Sequence, residues 1–445
     1  MGADRGKAAR VHRQSDPALE VVESGHRTSI YLVSASIFLS AFGIRLALMF
    51  MTRSYLDWEN SELVLVATSL AQGHGFANAF GDTGPTAYVS PLYPFLLSLV
   101  YRWSSIGIHR AIAQEVLSCF FAAITWSLIP VLGEICRIDR RVGITAGMMG
   151  AVLTINRWAE TKGSSEAAMA GLACLVLFMF YMRCWHLRDF SLRAGVLAGI
   201  LSGVAMLVSA SLGSIIVGLL IAGYVISHRF VAREYLRFAF VVVTLIFAAL
   251  LPWAMRNYLV LGEFVWTRSN LPLELMVSNN DYASTTLNDN EVSGYKYHPL
   301  LSAEQRAAVR SMGELAYQRK MKSEALRWIA SHPKQFGWLT LQRIYHFWFP
   351  AMKRQIQTVA LAVLTVASLP ALILLLKRKQ LFAYGLLTIL ATYPLVYYVV
   401  QAHPRYVYPI QWIFYLLTSQ CIVLVMELWE HKRWRASSLD EEVVA

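Results

Sequence analysis

Apolar residues run through the chain in long blocks separated by short polar stretches. About 20 consecutive apolar residues carry an α-helix across a bilayer. Residues 29–51 form the first such block, and others follow at 111–133, 142–158, 165–183, 194–209, 211–227, 238–255, 355–376, 380–400 and 407–428. The pattern predicts an all-α polytopic membrane protein with about ten transmembrane helices. Residues 191–227 read as a helical hairpin that turns between Ser209 and Gly213. The first block has no small-residue cleavage site behind a short apolar core, so it reads as a retained helix and not a signal peptide. Residues 1–28 and 429–445 are polar tails.

One more apolar stretch, residues 88–103, contains Pro91 and Pro94 and is short for a span. Charge decides its placement. If it lies along the membrane surface, five basic clusters share one side with both tails. These are Arg137/Arg140/Arg141, Arg183/Arg188/Arg193, Arg229/Arg233/Arg237, Lys377/Arg378/Lys379 and Lys432/Arg433/Arg435. Basic loops mark the cytoplasmic side. The expected arrangement is therefore a multi-pass protein of the cell (inner) membrane with both termini cytoplasmic. Two long segments, 52–110 and 256–354, share the extracytoplasmic face. The chain divides into a module of spans one to seven (29–255, including the first outer loop), a second large outer loop (256–354) and spans eight to ten (355–428).

Composition agrees with this and narrows it. Apolar residues make up 56% of the chain and charged residues 15%, which excludes an ordinary soluble or disordered protein. The net charge of +12, from 40 Lys and Arg against 28 Asp and Glu, is placed in the cytoplasmic loops and calls for no nucleic-acid partner. The five cysteines lack CxxC spacing and lie in or beside apolar runs, which argues against disulfides or a zinc site.

The chemistry therefore belongs to the outer loops. In the first, Asp57, Glu59 and Glu62 cluster where a helix with apolar positions Leu63, Val66, Ala67 and Leu70 begins, and Gly73 and Gly75 end it. Acids at a helix start also suit its dipole, so each alone has a structural explanation. As hard oxygen ligands Asp57 and Glu59 would accept a divalent cation, though nothing requires one. The second loop opens with Arg256 and Asn257 and continues in a β-like or extended stretch carrying Arg268 and Asn270. A helix with a capping-box start at Ser302 and Gln305 then runs on to Pro333. Trp338, Tyr345, Trp348 and Phe349 read as interfacial anchors. Glu160 ends span three beside Arg157 and Lys162, and Arg405 and Tyr406 open span ten. Arg256 and Arg405 stand at one depth and suit a lipid phosphate, which a guanidinium grips in bidentate fashion.

No Walker A loop, GxGxxG, HExxH or GxSxG is present. An activated group must then arrive already attached to a lipid. Charges within the spans are few, chiefly Arg45 and Glu115, where an ion-coupled transporter would place more.

In the segments LDWENSELVLVATSLAQGHGF, GPTAYVSPLYPFLL, PWAMRNYLVLGEFVWTRSN with VSNND, and PRYVYP, the chain resembles the GT-C superfamily, in particular its family-39-like group of protein O-mannosyltransferases and aminoarabinose transferases. The resemblance implies transfer of a sugar from a polyprenyl-phosphate donor to a lipid, glycan or protein acceptor at the extracytoplasmic face. It also implies an acid in the first loop as catalytic base. Asp57-Trp58-Glu59 matches the superfamily's acidic motif as a D-x-E variant, whereas register against G-x-G-F points to Glu62. The better-known members have an adjacent Asp-Glu pair and a Lys-Pro-Pro, where this chain has no such pair and reads Val89-Ser90-Pro91. The implied site has Asp57, Glu59 or Glu62 as catalytic acid and Arg256, Arg405 and Arg268 at the donor phosphate. Glu160, Tyr406, Asn257, Asn270 and Tyr93 would line the pocket. Attack opposite the phosphate would invert the anomeric centre. The rival readings are a transporter or flippase of lipid-linked sugars and a non-catalytic membrane subunit. No inverted repeat supports the first of these.

Overall fold

The computed structural model describes residues 17–57, 60–104, 107–293, 296–351 and 354–444. Its helices are α1 (Pro17–Thr52), α2 (Glu62–Ala71), α3 (Leu92–Trp103), α4 (Ile108–Cys136), α5 (Arg140–Val152), α6 (Arg157–Thr161), α7 (Ala167–Leu187), α8 (Leu192–Val208) and α9 (Leu212–Leu261). They continue with α10 (Leu271–Ser278), α11 (Leu287–Ser293), α12 (Ala303–Met312), α13 (Glu314–Ser331), α14 (Pro333–Trp348), α15 (Gln355–Lys377), α16 (Leu381–Thr392), α17 (Leu395–Val399) and α18 (Pro404–Val444). Among the described residues β-structure is limited to two isolated bridges.

Seven segments are long and apolar enough to cross a membrane: Ser29–Thr52, Ile108–Cys136, Ala167–Leu187, Val231–Leu261, Gln355–Lys377, Leu381–Val399 and Pro404–His431. Shorter helices occupy the other three expected spans. These are α5, which stops at Val152 and not at 158, α8, and the first arm of α9, Leu212–His228. The hairpin turn falls at residues 209–211, as the sequence pattern predicts. Val231 has non-helical dihedrals (φ −143°, ψ 40°) and divides α9 into two arms. The 12 residues of α3 reach only about 18 Å at 1.5 Å each. Phe95, Leu99 and Trp103 form an exposed apolar stripe along it, as a surface-lying helix requires.

Lipid tails are as apolar as leucine, so close packing rather than dehydration holds such a bundle together. Gly195, Gly199 and Gly203 line one face of α8 at four-residue spacing against the second arm of α9. A Cβ at Gly199 would stand 2.6 Å from the Leu245 Cβ, and one at Gly203 2.5 Å from the Ala249 Cβ. Only hydrogen at these positions lets the two backbones approach.

One end of the bundle gathers a set of basic residues. There Arg140 donates to the Ser29 hydroxyl (2.7 Å) and Arg141 pairs with Glu427 (2.6 Å), joining α5 to α1 and α18. Arg137, Arg188 and Lys379 lie at this end and turn the chain through the left-handed region after α4, α7 and α15. The opposite end carries a cap built from both long segments. Leu63, Val66, Phe80, Tyr88, Tyr93, Leu97, Leu273, Tyr317 and Met321 are buried together there. Outside the bilayer dehydration does count, at roughly 1.5–3 kcal/mol per large buried side chain.

Two expectations for the second segment need correction. The stretch expected to stay extended folds into α10 from Leu271, because Pro272 in its first turn sacrifices no hydrogen bond there. The helix expected to run unbroken from Ser302 is interrupted at Gly313 (φ 82°), giving α12 and α13. Ser302 does cap α12, its hydroxyl accepting from the Gln305 N–H at 3.4 Å.

Candidate active site

Two adjoining cavities with wall residues in common form two lobes between the cap and the bundle. The first lobe, about 340 Å³, is walled by the cap-side ends of the apolar helices, with Ser209, Ser211, Tyr393, Tyr397, Tyr406 and Pro409 among its residues. The second, about 400 Å³, is lined by Asn288, Asn290, His298, Leu300, Gln401 and His403 from the cap and the 401–403 turn. Ser61, Glu62, Ser164, Glu274 and Arg405 border both lobes.

Glu62 reaches the junction because α2 begins there. Ser61 caps that helix by accepting from the Val64 N–H (3.4 Å), while its hydroxyl donates to the Ser164 carbonyl (2.7 Å). Leu63, Val64, Val66 and Ala67 are buried along the helix, and Glu62 at its start lines the cavity. The Ser164 loop is shaped by Gly163 (φ 65°), where a Cβ would meet the Gln114 carbonyl oxygen at 2.6 Å. Tyr93 is buried behind it, donating to the Gly163 carbonyl at 2.8 Å.

The Glu62 Oε1 lies 3.2 Å from His298 Nε2. The Tyr88 hydroxyl donates to Glu274 Oε1 (3.1 Å) and stands 3.4 Å from the same imidazole nitrogen. Gln401 Nε2 donates to Glu274 Oε2 at 3.0 Å. Burial, with the charges of Glu274 and Glu62 adding to it, pushes the Tyr88 phenol well above its ordinary value, so it stays a proton donor.

The cations stand across the cavity. Arg405 donates to the Tyr406 hydroxyl (3.1 Å) and lies over the rings of Tyr406 and Trp158, at 5.0 and 5.9 Å. Arg268 faces Glu166 at 3.5 Å. Burial, and then the charge of Arg405, holds the His403 imidazole well below its usual range and keeps it neutral. An anion entering the first lobe meets two guanidiniums, while Glu62 and Glu274 offer carboxylate oxygens at the junction.

Glu62, Arg268, Arg405, Tyr406 and Asn270 are thus brought to one cavity. The other sequence candidates lie elsewhere. Asp57 ends a 3₁₀ turn with its side chain exposed, and its backbone carbonyl accepts from Lys162. Glu59 lies outside the described residues, so the proposed Asp57/Glu59 cation site is seen only at its Asp57 half. Among the described residues no group of three or more His, Cys, Asp or Glu is placed to hold a metal ion. Glu160 lies away from both lobes, fully buried in an ion pair with Arg45. Arg256 is spent on the first loop, donating to the carbonyls of Thr86 (2.7 Å) and Phe76 (2.6 Å) and to the Asn257 side chain (2.9 Å). Asn257 in turn donates to the Val265 carbonyl (2.8 Å), so these two residues shape the walls from behind.

Sequence reasoning missed Glu274, His298, Tyr88, Glu166 and Gln401. Glu274 had one usable signal, as a lone acid in the apolar run LPLELMV. The others acquire meaning only from their spatial partners.

A polytopic helical bundle capped at one end by the two long segments thus frames the cavity. No protein-family model matches the chain, and no curated protein matches it in sequence. Its fold is similar to that of the oligosaccharyltransferase of Archaeoglobus fulgidus. The apo form aligns at TM-score 0.55 with 13% identity, over 90% of this chain and 52% of the other. Archaeal AglB from the same organism, in complex with an inhibitory peptide and a dolichol-phosphate, gives TM-score 0.55 and 12% identity over 94% and 52%. The complex with Zn and sulfate gives 0.50 and 14% over 83% and 45%. The chain spans about half the length of these neighbours. Such identities define the shared fold and no subgroup within it.

Proposed function

We propose that the protein is a membrane glycosyltransferase that moves a sugar from a polyprenyl-phosphate donor to an acceptor at the extracytoplasmic face. The observation that carries this reading is the junction itself, where Glu62 and Arg405 border both lobes. The lobe at the apolar helix ends suits the lipid side of the donor, and its neighbouring Arg405 and Arg268 suit the phosphate. The other lobe receives the acceptor, a lipid, glycan or protein. A fold neighbour whose structure contains a dolichol-phosphate and a peptide adds support. The basic helix ends lie away from the cavity, which under the positive-inside rule turns the cavity outward and both tails toward the cytoplasm.

In this mechanism Glu62 takes the proton of the acceptor hydroxyl or amine. The acceptor atom bonds to the anomeric carbon as the bond from that carbon to the phosphate oxygen breaks. The electron pair departs on the lipid phosphate, where Arg405 and Arg268 offset the developing charge. Attack from the second lobe, opposite the phosphate, inverts the centre without a covalent enzyme intermediate.

The test uses purified full-length protein in proteoliposomes with a polyprenyl-phosphate-linked sugar and a panel of acceptors. Sugar transfer that disappears in Glu62→Gln supports the assignment. Movement of the lipid across the bilayer with no transfer to any acceptor would make the protein a flippase.

A further inference from the structure

His298 belongs to the second outer segment, yet its ring sits against Glu62 of the first. Its two nitrogens have different partners. The Leu300 backbone N–H donates to Nδ1 at 3.2 Å, so that nitrogen carries no proton, and the neutral ring bears its hydrogen on Nε2. Nε2 faces Glu62 Oε1 at 3.2 Å and the Tyr88 oxygen at 3.4 Å. Tyr88 gives its own proton to Glu274, so toward His298 it offers a lone pair. Phe80 meets the imidazole edge to face, with centroids 5.8 Å apart, and fixes the ring plane.

From this arrangement we infer that His298 is the positioning residue of the general base: an Nε2–H donor that holds Glu62 Oε1 and aims Oε2 at the acceptor. The inference rests on the reading of Glu62 as the base. A hydrogen bond donated to a carboxylate stabilises the charged form and lowers its proton affinity. Occupying Oε1 leaves Oε2 for the acceptor's proton. His298 neither gains nor loses a proton in the step, since its one free nitrogen is already held by the backbone. The other titratable or charged groups around Glu62 and His298 are Tyr88, Glu274 on α10, and Arg405 and His403 at the start of α18. Arg268 lies further along the first lobe.

The experiment is the pH profile of kcat and kcat/KM for sugar transfer by the full-length protein in proteoliposomes, comparing wild type, His298→Leu, His298→Gln and Glu62→Gln. His298→Leu removes the donor. It is expected to lower kcat roughly 10- to 100-fold, the worth of one hydrogen bond to a charged group, with a smaller change in donor KM. It should also move the acid limb of the profile upward. His298→Gln keeps an N–H donor and should restore most of kcat and return the limb. A lowered kcat with an unmoved acid limb in both variants would reduce His298 to a structural residue. An acid limb that vanishes in His298→Leu would make His298 the base itself. Glu62→Gln separates the two failures: if it stays active the base assignment falls, and if it is inactive while the limb is unmoved in His298→Leu, the role of His298 alone falls.

Discussion

Arg45 on α1 and Glu160 on α6 form an ion pair at 2.9 Å in which both side chains are fully buried. Arg45 also donates to the carbonyls of Gly150 (2.9 Å) and Ala151 (3.1 Å), so it ties the end of α5 to the same pair. Removing one partner of such a pair strands the other charge and costs about 3–5 kcal/mol. Arg45→Met and Glu160→Leu should each lower the thermal unfolding temperature in detergent, whereas the double variant should lie closer to wild type than either. Additive losses would show that the pair is not the unit.

The first-loop acids should separate cleanly. Glu62→Gln is expected to lower kcat by roughly 10²–10⁴-fold, the worth of a positioned general base, with donor binding retained. Asp57 is exposed outside the cavity, so Asp57→Asn should stay within about twofold of wild type. Side-by-side initial rates of transfer check both.

Two arginines that look alike in the sequence should fail differently. Arg256→Ala removes hydrogen bonds to Thr86, Phe76 and Asn257 and should cost about 1.5–3 kcal/mol of stability. Arg405→Ala should cost less stability than Arg256→Ala and raise the donor KM, because Arg405 faces the cavity and among the described residues holds only the Tyr406 hydroxyl and two aromatic rings. Donor titrations beside melting curves would show the contrast. A melting loss in Arg405→Ala equal to that of Arg256→Ala would remove it.

Glu314 on α13 should give stability a pH dependence. Its carboxylate is buried and accepts from the Ala87 N–H (2.9 Å) and the hydroxyls of Ser269 (2.7 Å) and Thr86. Burial raises its pKa above the ordinary 4.5, outweighing the lowering by those hydrogen bonds and by Arg256. A carboxyl with a raised folded value contributes stability in full below the unfolded value. That contribution is lost as pH rises from 4.5 through the raised value. Glu314→Gln should flatten this part of the stability curve, measured as melting temperature from pH 4 upward. An unchanged slope would mean that other groups set it.

Much of the architecture was legible because spanning helices obey a strong constraint. The apolar blocks, the turn at Ser209 and the sorting of Arg137, Arg188 and Lys379 to one end all follow from it. Failures came where local signals mislead. The stretch around Asn270 reads as extended, yet Pro272 is well placed in the first turn of a helix. Gly313 lies inside the helix expected to run from Ser302 to Pro333 and takes up a positive φ that breaks it. In the site, Arg405 and Arg256 carry the same interfacial signature, and only the carbonyls around Arg256 reveal that its donors are taken. Glu274 and His298 were unreadable for a simpler reason. Tyr88 and Glu274, which touch, are 186 positions apart.

The two lobes share Ser61, Glu62, Ser164, Glu274 and Arg405 in their walls. On the proposed reading this arrangement governs traffic. A carrier stripped of its sugar can withdraw past the helix ends while the enlarged product departs by the cap. Each leaves by its own door, and a fresh molecule can queue at one while the other is still being cleared.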